Sequence, residues 1–149
     1  MTVFVAEELR QRVKVTSAMQ LIELVREFEA CTLPPTVWTH AAHLSVAFWY
    51  LHSYPRDEAT QLIRSGIKRY NNAQRKGLAY HETITLAWIE VLSRFLDEQD
   101  HDIPLANLLD RLLDRCCDKN YLLQFYSPER LFSDAARTNW LPPDVREFC

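Results

Sequence analysis

Apolar residues recur at three-and-four spacing along most of the chain, which is the period of an amphipathic helix rather than of a strand. Met19, Leu21, Ile22, Leu24, Val25 and Phe28 form one such stripe. It predicts a first helix from a Ser17 cap to about Cys31, ended by Leu33-Pro34-Pro35. Thr39 is the natural N-cap of a second helix, from His40 to about Ser53, with Trp38 placed to staple onto His43 in the first turn. Within it Val46-Ala47-Phe48-Trp49-Tyr50-Leu51 leaves almost no water-facing position, so this helix is expected at the centre of the fold.

A third helix is predicted from an Asp57 cap to about Asn72, with Ala59, Leu62, Ile63, Ile67 and Tyr70 inside and Arg64, Lys68 and Arg69 outside. Asn71 to Gly77 reads as a polar connection. The fourth begins near Tyr80 or His81, runs to about Asp97, and presents Ile84, Trp88, Val91, Leu92 and Phe95. The fifth starts at Asp102 with Pro104 inside its first turn and carries Leu105, Leu108, Leu109, Leu112, Leu113 and Cys116 on one face. Tyr121 to Tyr126 is sufficient for one or two helical turns, and Ser127-Pro128-Glu129 opens a last helix to about Arg137 before Trp140-Leu141-Pro142-Pro143 ends regular structure. Met1 to Val15 alternates weakly, compatible with a strand or an arm on the bundle.

The predicted fold is all-α: one domain, residues 1–149, as an up-and-down bundle of four to five main helices with a short helical C-terminal segment. Composition strengthens this. Only Gly66 and Gly77 are glycine, too few for the tight turns of an all-β chain. At 149 residues and 48% hydrophobic, the core needs neither disulfide nor metal to hold it.

A formal net charge of -3 gives no field for a polyanion, so nucleic acid is not an expected partner. No uncharged run reaches the roughly 18 residues of a membrane span. The first residues lack the apolar core of a secretory signal, so a cytoplasmic location is expected. Cys31, Cys116, Cys117 and Cys149 have no paired metal-binding spacing and read as reduced thiols. Gly-rich phosphate loops, GxSxG and HExxH are all absent from the sequence.

Three of the five histidines carry the candidate chemistry. Short connections make neighbouring helices antiparallel, so the second and fourth helices should start at one end of the bundle, bringing His40 and His43 toward His81. Three imidazoles with Glu82 beside them would suit Zn, Fe, Mn or Ni in an open site, with Glu82 as fourth ligand or general base and His81 and Glu82 in the catalytic role. Trp38, Tyr80, Trp88 and Tyr50 would wall a pocket for a small organic substrate, and Asp134 with Arg137 would orient a ligating histidine from behind. Such a site points to a metal-dependent hydrolase or oxygenase-like enzyme.

Two alternatives remain open. Helix N-termini disfavour a cation and welcome an anion, so the same residues suit a metal-free His/Glu acid-base enzyme or a ligand-binding protein. The third reading is a helical interaction module whose histidines are structural: an imidazole beneath Trp38, another bonded to a nearby carbonyl, and an Asp134–Arg137 surface ion pair. His52 and His101 sit where solvated histidines are common and receive no role.

The segments Cys31-Thr32-Leu33-Pro34, Trp38-Thr39-His40-Ala41-Ala42-His43-Leu44, Tyr80-His81-Glu82-Thr83 and Ser127-Pro128-Glu129-Arg130-Leu131 together resemble a family of small bacterial all-helical proteins, over roughly Phe28 to Pro143. The resemblance implies the helix boundaries and the interest of the three histidines, and no activity. In architecture the predicted site is similar to that of the damage-inducible four-helix metalloproteins, whose histidine spacing differs from this chain's.

Overall fold

The computed structural model describes residues 18–74 and 80–148. Within them the chain forms seven α-helices and one 3-10 turn, with no strand. In chain order these are α1 (Ala18–Glu29), α2 (His40–Ser53), α3 (Arg56–Gln74), α4 (Glu82–Asp97), α5 (Leu105–Cys116), a 3-10 turn (Tyr121–Gln124), α6 (Pro128–Leu131) and α7 (Asp134–Thr138). No helix among them is long and apolar enough to cross a membrane. Residues 1–17, with the proposed Ser17 cap and N-terminal arm, and Cys149 lie outside the described residues.

The bundle is built around α2. Ala42, Leu44, Ser45, Val46, Ala47, Phe48 and Tyr50 are all buried, because a helix apolar nearly all round finds cover only between neighbours. Accordingly α2 packs against α1, α3, α4 and α5. The amphipathic helices supply that cover with the stripes read from sequence: Leu21, Val25 and Phe28 from α1, Ala59, Ile63 and Tyr70 from α3, and Leu108, Leu109, Leu112 and Leu113 from α5.

Helix ends differ from the predicted ones by a few residues, each for a local reason. At the end of α1, Cys31 takes a left-handed φ of 59°, and the Thr32 N–H donates to the Glu27 carbonyl at 2.9 Å. This closing turn releases the chain two residues before the predicted stop. Helix α3 begins at Arg56, its first turn closed by the Ala59 N–H on the Pro55 carbonyl, so Asp57 is inside the first turn rather than its cap. Pro104 is the N-cap of α5 rather than a first-turn residue, and Asp102 is exposed outside the helix. The single helix expected from Ser127 to Arg137 is two, since Ser133 breaks it by capping afresh: its hydroxyl accepts the Ala136 N–H at 3.1 Å.

The tail returns to the bundle through one buried hydroxyl. Thr83 Oγ1, fully buried on α4, donates to the Asn139 carbonyl at 2.6 Å and accepts the Leu141 N–H at 3.1 Å. Tyr126 Oη then donates to the Leu141 carbonyl at 2.7 Å. Residues after α7 are thereby fixed without regular structure, side chains bonding the backbone at Asn139 and Leu141 where no helix ladder can serve it.

Gly66, on the buried face of α3, permits a close approach of the Phe28 ring to the helix backbone. A Cβ there would lie 2.8 Å from Phe28 Cε2. The Phe28 ring is fully buried and stacked on Trp38 at a centroid distance of 4.7 Å, with Tyr70 at 5.8 Å, so it has no room to swing aside. Alanine would gain about 1 kcal/mol of helix propensity, but overpacking a filled core costs about 1–3 kcal/mol. Gly66→Ala is therefore expected to lower stability by about 1 kcal/mol net, read as a lower urea midpoint with unchanged slope; a raised midpoint would mean that the Phe28 ring gives way.

Candidate functional site

Two hydrogen bonds and an aromatic stack set the start of α2. Thr39 is extended (φ −84°, ψ 173°) and its Oγ1 accepts the Ala42 N–H at 3.2 Å. Trp38, just outside, lies on the His43 ring with centroids 3.8 Å apart, the predicted staple. The His43 Nδ1–H donates to the Thr39 carbonyl at 2.7 Å, which fixes the tautomer: in the neutral ring, Nε2 carries the lone pair. Burial among these rings drives the His43 pKa from 6.5 down to about 4, against the opposing Thr39 bond and with the help of His40. At neutral pH His43 is uncharged.

His40 Nε2–H donates to the Cys116 carbonyl at 3.0 Å. Cys116 is the last residue of α5, where helix carbonyls have no intrahelical partner, so the imidazole completes that helix end and ties it to the start of α2. Its ring lies 5.1 Å from that of Trp88 on α4. Burial pushes the Cys116 thiol up to about 11, as befits a core residue rather than a thiolate ligand.

His40 and His43 line one cavity of about 300 Å³ between α2, α3 and α4. Leu44, Ala47, Ile63, Ile67, Ile84, Trp88 and Ile89 give it apolar walls, and Thr85 adds a hydroxyl. The first turns of α2 and α4 thus share one end of the bundle, as the short connections require. Ile63 and Ile67 were recognisable in sequence as an inner stripe, though nothing there separated residues lining a cavity from residues filling a core. Ile84 belonged to the predicted stripe of the fourth helix in the same way, whereas Thr85 and Ile89 were unmarked.

His81 is at the same helix start but not in the cavity. It is the N-cap of α4: Nδ1 accepts the Ile84 N–H at 3.1 Å, and Nε2–H donates to the Leu131 carbonyl at 2.8 Å, at the end of α6. Both ring nitrogens are engaged, so metal ligation would require breaking the cap or the bridge to α6. Its pKa is lowered, first by burial, with Arg137 adding to the effect. Among the described residues no group of three or more His, Cys, Asp and Glu is gathered closely enough to hold a metal ion. A three-histidine centre therefore does not fit this arrangement.

Glu82 is held by the bidentate fork of Arg64, at 2.9 Å from Nε and 2.6 Å from Nη2, and by Tyr80 Oη at 2.7 Å. Burial alone would raise its pKa, yet these donors outweigh it and hold the carboxyl below the usual range. Arg64, expected on the outer face, is half-buried by this pair. Tyr80, its pKa raised to about 12 chiefly by burial, stands at the rim: Lys68 Nζ lies 4.7 Å above its ring, and Thr85 is its neighbour on the cavity side.

The remaining predicted residues are divided. Trp88 lines the cavity, whereas Trp38 reaches it only through His43. Tyr50 points its hydroxyl to Glu29 on α1, outside the lining. Asp134 and Arg137, both among the described residues, are exposed on α7 and form no ion pair with each other, and the Leu131 carbonyl, not Asp134, accepts the hydrogen bond from His81. Compared with protein-family models, curated proteins and solved structures, the chain matches none.

Two expectations follow. His81→Ala removes an N-cap and a bridging bond and should lower stability by about 1–3 kcal/mol, whereas His81→Asn, which keeps a capping side chain, should recover part of that in urea unfolding; equal losses would show that the cap is dispensable. His43, with a folded pKa of about 4 against 6.5 in the open chain, refuses a proton that the unfolded state accepts between those values. Its contribution is complete above pH 6.5, drains as pH falls and levels off below about 4. Unfolding free energies from pH 7 to 4 should fall less steeply in His43→Phe than in the parent, and matching slopes would mean that His43 titrates normally.

Proposed function

We propose that the cavity between α2, α3 and α4 takes up a small organic molecule and that His40, assisted by His43, receives a proton from its polar end, as general base of a small enzyme. The observation that carries this reading is the pairing of two tethered imidazoles with otherwise apolar walls. Each ring has one N–H fixed on a backbone carbonyl, and no hydrogen bond among the described residues engages the other nitrogen. A cavity near 300 Å³ is at the small end of ligand sites, which combine an apolar lining with few polar groups. Neutral imidazole held in place is the form that accepts a proton. Glu82, expected to be the base, is neutralised by Arg64 and Tyr80 and serves instead to fix the rim.

A second reading keeps a metal. An N–H fixed on a carbonyl is also how ligating histidines are oriented from behind, so the free nitrogens of His40 and His43 would supply two ligands to Zn, Fe, Mn or Ni, with water and substrate as the others. Both readings give the protein a small-molecule substrate.

Thermal unfolding of untagged, chelator-treated protein separates them. Under the first, small aromatic probes raise the melting temperature in the presence of chelator, and His43→Phe weakens the shift by the hydroxylated ones. Under the second, the metal ions alone raise it, and His40→Ala abolishes the response. A protein that answers neither probes nor metals would leave the histidines with their structural work and overturn both.

A further inference from the structure

We infer that the cavity selects uncharged, ring-bearing hydroxyl compounds, of which phenol is the simplest, and discriminates against carboxylates of the same size; this deepens the proposed small-molecule reading and rests on it. The argument is a count of where each polar hydrogen on the lining residues goes. The Thr85 hydroxyl proton is directed to the His81 carbonyl at 2.8 Å, leaving its lone pairs. The His43 Nδ1–H donates to the Thr39 carbonyl and the His40 Nε2–H to the Cys116 carbonyl, so what each ring has left to offer a ligand is its other nitrogen. At the rim, the Tyr80 proton goes to Glu82.

What remains as a side-chain donor on the lining residues is the Trp88 indole N–H, which has no hydrogen-bond partner among the described residues. No Lys, Arg, Asp or Glu is among the lining residues. Of the nearest cations, Arg64 is clamped on Glu82 and Lys68 sits over Tyr80. The lining side chains therefore present several acceptors, one donor and no charge.

A carboxylate brings only acceptors. Placed here it would set its oxygens against lone pairs in a half-open apolar pocket, with a single side-chain N–H to compensate, and burying an incompletely bonded charge is unfavourable. A hydroxyl brings one proton and two lone pairs, so it donates to an imidazole nitrogen and accepts from an N–H, matching what the lining offers. The ring it belongs to is served by Trp88 and the isoleucines, which favour an apolar body against their faces. A plain hydrocarbon would fit the walls and leave the imidazoles without a partner, losing the bond without incurring the charge penalty.

The test compares phenol, benzoate and toluene against the full chain at neutral pH in chelator, with binding read by calorimetry and by tryptophan fluorescence, since Trp88 lines the cavity. Phenol is expected to bind at least about tenfold more tightly than either of the others, the worth of one good hydrogen bond. In His43→Phe and His40→Phe the advantage over toluene should shrink while toluene binding persists; the three-ligand ranking on the parent protein needs no variant to fold. Benzoate equal to or tighter than phenol would overturn the inference. Toluene equal to phenol would also overturn it, leaving an apolar pocket in place, whereas no binding of any of the three would remove the proposed small-molecule site itself.

Discussion

Helix ends leave polar backbone groups without partners, and in this protein imidazoles and hydroxyls from other helices supply them. His40 closes the last carbonyl of α5, and His81 closes that of α6 while capping the start of α4. Thr83 then fastens the backbone beyond α7. Each such bond joins segments far apart in sequence, 76 residues for His40 and Cys116 and 50 for His81 and Leu131. Packing of apolar stripes makes the helices adhere, but it is directionless. The bonds at the ends fix which end meets which, and thereby place the first turns of α2 and α4 beside one cavity.

That arrangement determines the electrostatics. Burial holds the His43 imidazole neutral against the pull of the carbonyl that its N–H donates to, and Trp38 stacked on the ring removes water from one face. A few residues away, a carboxylate and a guanidinium form a two-bond pair at the surface side of α3 and α4. Charge is thus kept at the rim and lone pairs inside. The same sequence step, from His81-Glu82 to Ile84-Thr85, separates these environments, because successive helical residues diverge by about 100°.

This also explains which parts were legible in the amino-acid order. The α2 boundary, its Thr39 cap, the Trp38 staple and its central place all follow from local patterns, and all are present. The amphipathic stripes of α1, α3 and α5 were equally plain. Convergence of two helix starts was deducible from short connections. What was not deducible was which residue of the α4 start turns inward. Capping statistics favour Ser, Thr, Asp and Asn, so nothing marked His81 as a cap instead of a ligand. Its acceptor, the Leu131 carbonyl, exists as a free helix end only because Ser133 interrupts the last helix. A long-range bond to a break that was itself unforeseen leaves no trace in periodicity.

The two histidines left facing the cavity therefore carry a double duty that constrains what the site can do. Each must keep its N–H on a backbone carbonyl for the fold, so only its second nitrogen is available to a ligand, and that nitrogen is a base. Under the proposed reading such a site would receive protons or accept a positive centre rather than hold a negative one, since reversing the tautomer of His40 or His43 would unmake the helix junction it supports. The polarity of the cavity is in this sense a consequence of how the bundle is joined, and a substitution that alters the ligand chemistry at either imidazole also acts on the packing of α2 against its neighbours.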